Sequence, residues 1–169
     1  MIHIYSGDGK GKTTAAAGLA VRAIGRGFRV VFAQFLKSGE SGELVPLEKL
    51  GIYVIRSSEL FAFTFRMQEE EKERCRIEQA RILKAIKDAL RGELPTLVVA
   101  DEMLDAVRTG MLESGALNEL VDAAKNAELV FTGRLVPEWL AEKADYISDI
   151  KKIKHPYDNG VPARSGIEW

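Results

Sequence analysis

Ser6-Gly7-Asp8-Gly9-Lys10-Gly11-Lys12-Thr13-Thr14 follows the apolar run Ile2 to Tyr5 and leads into Ala15-Ala16-Ala17-Gly18-Leu19-Ala20-Val21. The first run reads as a strand and the last as a helix, with a glycine-rich turn between them. This arrangement, with Lys-Thr opening the helix, wraps backbone N–H groups around a polyphosphate. Gly7, Gly9 and Gly11 permit conformations closed to other residues and a close approach to the anion. Lys12 places a point charge on the phosphates, and the Thr13 hydroxyl is a ligand for Mg²⁺. Asp8, Lys10 and Thr14 complete the nucleotide-binding set. Ser6 stands where the strict P-loop pattern has Gly, so a literal pattern search passes over this loop. A glycine turn that binds nothing is the plainer alternative, and the flanking strand and helix argue against it. The expected ligand is a nucleoside triphosphate.

The 169 residues suit a single domain with a real core. A hydrophobic fraction of 46% and a charged fraction of 29% are ordinary for a globular protein. Lys plus Arg number 24 against 25 for Asp plus Glu, so bulk charge gives no reason to expect nucleic acid as a partner. One cysteine, Cys75, cannot form an intrachain disulfide, which fits a reduced cytoplasmic setting. No basic leader precedes Ile2, and the longest apolar runs are strand-length, so neither a signal peptide nor a membrane span is expected.

Along the chain, strands and helices alternate. Strands are expected at Ile2–Tyr5, Phe28–Phe35, Ile52–Ile55, Thr96–Ala100, Glu128–Phe131 and Tyr146–Ile153. Helices are expected from Lys12 to about Arg26, Leu44–Leu50, Glu69–Leu90, about Ala116–Ala127 and Pro137 to about Lys143. In the long helix Ile77, Ala80, Leu83, Ile86 and Leu90 recur at helical spacing, and Leu94-Pro95 ends it. Such alternation means parallel βαβ crossovers. The fold class is therefore α/β, a three-layer P-loop NTPase-like fold with a mostly parallel central sheet, in one domain over 1–169.

Ligands in such sheets gather at the carboxyl ends of the strands. One strand, taken as a neighbour of the loop strand, ends in Asp101-Glu102, hard oxygen donors suited to Mg²⁺ on a triphosphate. Either acid can be the direct ligand and the other its support. Another strand ends in Thr132-Gly133-Arg134, where Arg134 can reach an anion or stay in solvent. Phe61-Ala62-Phe63-Thr64-Phe65 reads first as one face of a strand, and second as an apolar plate for a flat ligand. His155 is a weak general-base candidate with no evident partner.

These residues together resemble the P-loop type of ATP:corrinoid adenosyltransferase (cob(I)alamin adenosyltransferase) family. The resemblance runs through Gly7 to Thr14, Gln34-Phe35-Leu36-Lys37, Phe63-Thr64-Phe65, Asp101-Glu102 and Thr132-Gly133-Arg134. It continues in Lys154-His155-Pro156-Tyr157-Asp158-Asn159-Gly160 and Gly166-Ile167-Glu168-Trp169. Asp8 stands where the family often has Asn, and Phe65 where its best-known pattern has Trp. The resemblance implies that Co(I) of a reduced corrinoid attacks C5′ of ATP, taking the adenosyl group as triphosphate leaves. Co(I) carries no proton, so the reaction needs no side-chain base. Lys12, Thr13 and Glu102 would then be catalytic, Thr13, Glu102 and Asp101 would hold Mg²⁺ or Mn²⁺, and Phe63, Phe65 and Arg134 would meet the corrinoid. The aromatics would crowd its lower face, displacing an axial ligand from Co(II) to ease reduction. Further implications are a corrinoid substrate (cobalamin, cobinamide or cobyrinic acid a,c-diamide), an electron donor such as a flavoprotein reductase, and a homodimer. Longer members cover the site with a segment before the first strand, which here begins at Ile2. A P-loop small-molecule kinase or NTPase, and a nucleotide sensor without chemistry, are the alternatives.

Overall fold

The computed structural model describes residues 1–37, 41–61, 64–91 and 96–168. In chain order they form β1 (Ile2–Ser6), α1 (Lys12–Ile24), β2 (Arg29–Gln34), α2 (Leu44–Lys49), β3 (Tyr53–Ile55) and α3 (Glu69–Ala89). There follow β4 (Thr96–Asp101), α4 (Met103–Arg108), α5 (Ala116–Ala123), β5 (Glu128–Thr132), α6 (Glu138–Lys143) and β6 (Tyr146–Asp149). The strands make one sheet in the order β3-β2-β4-β5-β1-β6, and every pairing is parallel.

The inner strands are buried on both faces, which is why Leu97-Val98-Val99-Ala100 is apolar without interruption. Alternate residues serve opposite cores. Val31, Val98, Leu129 and Phe131 pack with Ile82, Ile86, Leu104, Leu117 and Leu140 from α3 to α6. Val30, Phe32, Leu97 and Val130 pack with Ala16, Ala20, Leu44 and Leu47 from α1 and α2. These are the three layers expected, around a wholly parallel sheet. Among the described residues no helix is long and apolar enough to cross a membrane.

Four expectations need correction. Helix α4 was not foreseen, because six residues are too few to display a period. Strand β6 ends at Asp149, not Ile153, because its partner β1 ends at Ser6 and the chain then turns to other work. The inward face of α3 is Cys75, Glu78, Gln79, Ile82, Leu83 and Ile86, while Ile77 is 61% exposed. Two polar residues take inward positions there because they anchor neighbouring loops. Finally, Thr64–Arg66 is a 3₁₀ turn, with Phe61 buried and Phe65 78% exposed, so these aromatics do not form one strand face. The breaker Leu94-Pro95 and the terminal Trp169 lie outside the described residues.

Glu78 shows how α3 holds the chain after β3. Its carboxylate accepts the Ser58 N–H at 3.1 Å and the Ser57 hydroxyl at 3.2 Å, and pairs with Arg81 at 3.0 Å. The Arg81 hydrogen bond outweighs burial and holds the Glu78 carboxyl down at about 2. A depressed carboxylate stabilises the fold above its ordinary value of 4.5, and that stabilisation fades as pH falls toward about 2. Glu78→Gln is expected to lower unfolding free energy by about 1–3 kcal/mol at neutral pH. Urea melts of both proteins should show that gap narrowing between about pH 4.5 and 3; a constant gap would contradict the assignment.

Candidate active site

The loop between β1 and α1 is shaped from outside as well as by its own glycines. Gly9 N–H donates to Ile150 O at 2.7 Å, and Lys152 N–H donates to Asp8 Oδ1 at 2.9 Å. The segment after β6 is thus the outer wall of the loop. A Cβ on Gly9 would lie 2.6 Å from Ile150 O, and one on Gly7 would overlap the same carbonyl. These two glycines answer to that wall, a requirement the sequence does not announce. Gly7 is also at a positive φ, 111°, whereas at Gly11 nothing lies near the missing Cβ and the φ of 121° alone calls for glycine.

Lys12, at the start of α1, is half-buried and donates from Nζ to Gly9 O at 2.7 Å. Burial, then the charge of Arg134, pulls its pKa below the ordinary range, with Asp105 and Glu102 opposing. Lys10 and Thr14 are exposed.

The carboxyl end of β4 faces this loop but is not adjacent to β1. β5 lies between them, and its last residue makes the link. Thr132 donates its hydroxyl to Asp101 Oδ1 at 2.7 Å and accepts the Glu102 N–H at 2.8 Å. Asp101 is fully buried, with the Thr13 hydroxyl at 3.0 Å from Oδ1, Lys37 Nζ at 2.9 Å from Oδ2 and Gln34 Nε2 at 3.4 Å. Glu102 caps α4 in a left-handed conformation, φ 61°, rare for a residue with a side chain. Burial, against the pull of Lys37 and with the help of Asp101 and Asp105, pushes the Glu102 carboxyl up to about 7.

The structure therefore brings together Lys12, Thr13, Asp101 and Glu102. It adds Lys37, Thr132 and Asp105, none of which the sequence reading assigned a site role. Lys37 reads as part of a polar loop, yet burial is outweighed by Asp101 and Glu102, which hold its ammonium above the ordinary range. Asp105 accepts the Arg134 N–H at 2.9 Å and is itself paired with Arg108 at 2.7 Å. Gly133 permits this turn, since a Cβ there would lie 2.5 Å from Leu104 Cβ. The Arg134 side chain is exposed, its charge felt at Lys12. Phe65 stands in solvent beneath the Arg66 guanidinium, whereas Phe63 lies outside the described residues. His155 is not free to act as a base: its Nδ1 accepts the Tyr157 N–H at 3.1 Å and caps a 3₁₀ turn.

The donor set suits a hard divalent cation. Mg²⁺ binds through one or two protein oxygens plus substrate phosphates, and the Thr13 hydroxyl with Asp101 and Glu102 offers that chemistry. The Lys37 ammonium lies among these oxygens, 3.1 Å from Thr13 Oγ1 and 2.9 Å from Asp101 Oδ2. Among the described residues there is no cluster of three or more His, Cys, Asp or Glu side chains able to hold a metal unaided.

Against known proteins, the chain matches over residues 1–169 the model of the family described as ATP:corrinoid adenosyltransferase BtuR/CobO/CobP. It is 32% identical to a corrinoid adenosyltransferase of Escherichia coli, covering 100% of this chain and 85% of that one. It is 31% identical to the corrinoid adenosyltransferase CobA of Salmonella typhimurium, with the same coverage of each. A corrinoid adenosyltransferase of Pseudomonas aeruginosa is 30% identical over 98% of this chain and 82% of its own.

Thr132→Val keeps the shape and removes the hydroxyl that serves both Asp101 and the Glu102 N–H. Because both partners are left short of a hydrogen bond, a loss of about 1–3 kcal/mol in stability is expected. Thermal melts check this, and an unchanged midpoint would show the bridge to be dispensable.

Proposed function

The chain belongs to the ATP:corrinoid adenosyltransferase family, and from that premise we propose how its residues carry the reaction. The enzyme transfers the 5′-deoxyadenosyl group of ATP to the Co(I) centre of a reduced corrinoid, as part of adenosylcobalamin biosynthesis. The cobalt electron pair forms the bond to C5′, the C5′–O bond breaks, and triphosphate departs with that bond's electrons. One P-loop domain spanning 1–169 does this. The observation that carries the residue assignment is the meeting of Lys12, Thr13, Asp101 and Glu102 at one end of the sheet.

The loop from Gly7 to Thr14 holds the phosphates through its N–H groups. Lys12, whose Nζ donates to Gly9 O, exchanges that carbonyl for the anion and stabilises the leaving triphosphate. Thr13 and the Asp101-Glu102 pair would hold Mg²⁺ or Mn²⁺, which would supply positive charge to the leaving group. Thr132 orients the Asp101 carboxylate and holds the Glu102 backbone N–H. Positioning and charge stabilisation suffice, because the nucleophile brings no proton.

Arg134 and the aromatic turn with Phe65, together with Phe63, meet the corrinoid, which is cobalamin, cobinamide or cobyrinic acid a,c-diamide. The 78% exposure of Phe65 supports this, since a large apolar ring at the surface marks a contact site. The enzyme acts as a cytoplasmic homodimer and takes its electron from a donor such as a flavoprotein reductase.

Anaerobic incubation with ATP, Mg²⁺ and reduced corrinoid should yield triphosphate and a light-sensitive alkylcobalt spectrum. ADP would instead mean a kinase or NTPase, and unchanged ATP a sensor. Lys12→Ala should leave under about a tenth of the turnover, given the worth of one such donor. Phe65→Ala should slow the reaction from Co(II) corrinoid plus reductant more than that from Co(I). Equal losses in the two assays would remove the ligand-displacement role.

A further inference from the structure

Lys37 is held in the site by an unusual piece of backbone. Its N–H donates to Phe35 O at 2.7 Å, closing a γ-turn around Leu36 at φ 58°, the rarer and strained form of that turn. Among the described residues Leu36 and Glu102 are the two non-glycine residues at positive φ, and they follow the paired strands β2 and β4. Gln79, fully buried on α3, fixes the turn by accepting the Leu36 N–H at 3.0 Å. Strain persists only where the surroundings over-determine it, and it gathers at functional positions. Its effect here is to carry the Lys37 stem inward, so that Nζ lies 2.9 Å from Asp101 Oδ2, 3.1 Å from Thr13 Oγ1 and 3.7 Å from Glu43 Oε1.

Resting on the metal-binding role proposed above for Thr13 and Asp101, we propose that Lys37 is a tethered cation that fills the metal position of the nucleotide-free enzyme and moves onto the triphosphate when metal and ATP arrive together. Asp101 is 0% exposed, and a buried carboxylate left without a counter-charge is strongly unfavourable. The ammonium supplies that charge in the resting state. It also keeps free metal out, so that the metal enters with the nucleotide, whose phosphates give the displaced ammonium a new partner. ATP and metal are thereby coupled, and the coupling is reciprocal.

The test is Mn²⁺ binding, followed by electron paramagnetic resonance with and without ATP and in the absence of corrinoid. The wild-type chain should bind Mn²⁺ weakly alone and tightly with ATP. Lys37→Gln should bind Mn²⁺ alone about tenfold more tightly, with ATP raising its affinity correspondingly less. Lys37→Met, which keeps the apolar stem, should do the same and serves if the amide impairs folding. Lys37→Arg, which keeps the charge, should restore weak binding of Mn²⁺ alone. Unchanged nucleotide-free affinity in the Gln and Met variants would overturn the proposal while leaving the family reaction untouched. A wild-type chain that fails to bind Mn²⁺ even with ATP would remove the metal assignment, and this inference with it.

Discussion

A carboxylate with no access to water must be surrounded by donors, and the site is organised around meeting that need for Asp101. Its neighbours come from separate parts of the sequence: Thr13 from α1, Gln34 and Lys37 from the end of β2, and Thr132 from β5. Each is placed by a strand or helix terminus, so the sheet order is what brings them into register. The parallel sheet puts the carboxyl ends of β1, β2, β4 and β5 along one edge, where a polyphosphate, a cation and these donors can meet. A shift of β2 or β5 against β4 would strip donors from this buried charge, which ties site geometry to fold stability.

Much of this was legible in the sequence because it depends on local signals. Glycine spacing before Lys12-Thr13 marks the loop, and the apolar run before Asp101 marks a doubly covered strand. The alternation of β-branched runs with helical stretches gives the layers. Thr132 and Lys37 were not legible as site residues, because their roles depend on strand order and on a backbone turn that leaves no compositional mark. Leu36 is instructive: nothing in its identity announces a positive φ, and only Gln79, over forty positions away, explains it.

The inward face of α3 departs from its hydrophobic period for a related reason. Periodicity favours apolar residues, so it places Ile77 on the inward face and Glu78 and Gln79 outside it. Both polar groups are buried because they satisfy backbone N–H groups of loops, Ser58 in one case and Leu36 in the other. A burial pattern that includes satisfied polar residues is invisible to a rule based on hydrophobicity. Helix α4 escaped notice through brevity, although Thr109-Gly110, with Gly110 at φ 72°, ends it in the usual way.

The wall formed by residues 150–152 also bears on how the protein is made. β1 pairs with β5 and β6, and Asp8 is bonded to Lys152 across 144 residues. During synthesis β1 therefore has no sheet partner until β5 emerges from the ribosome. Such long-range closure slows folding and leaves early apolar segments exposed to wrong associations. A nascent chain that stops short of residues 150–152 holds the loop's sequence without the wall that bonds Gly9 and Asp8.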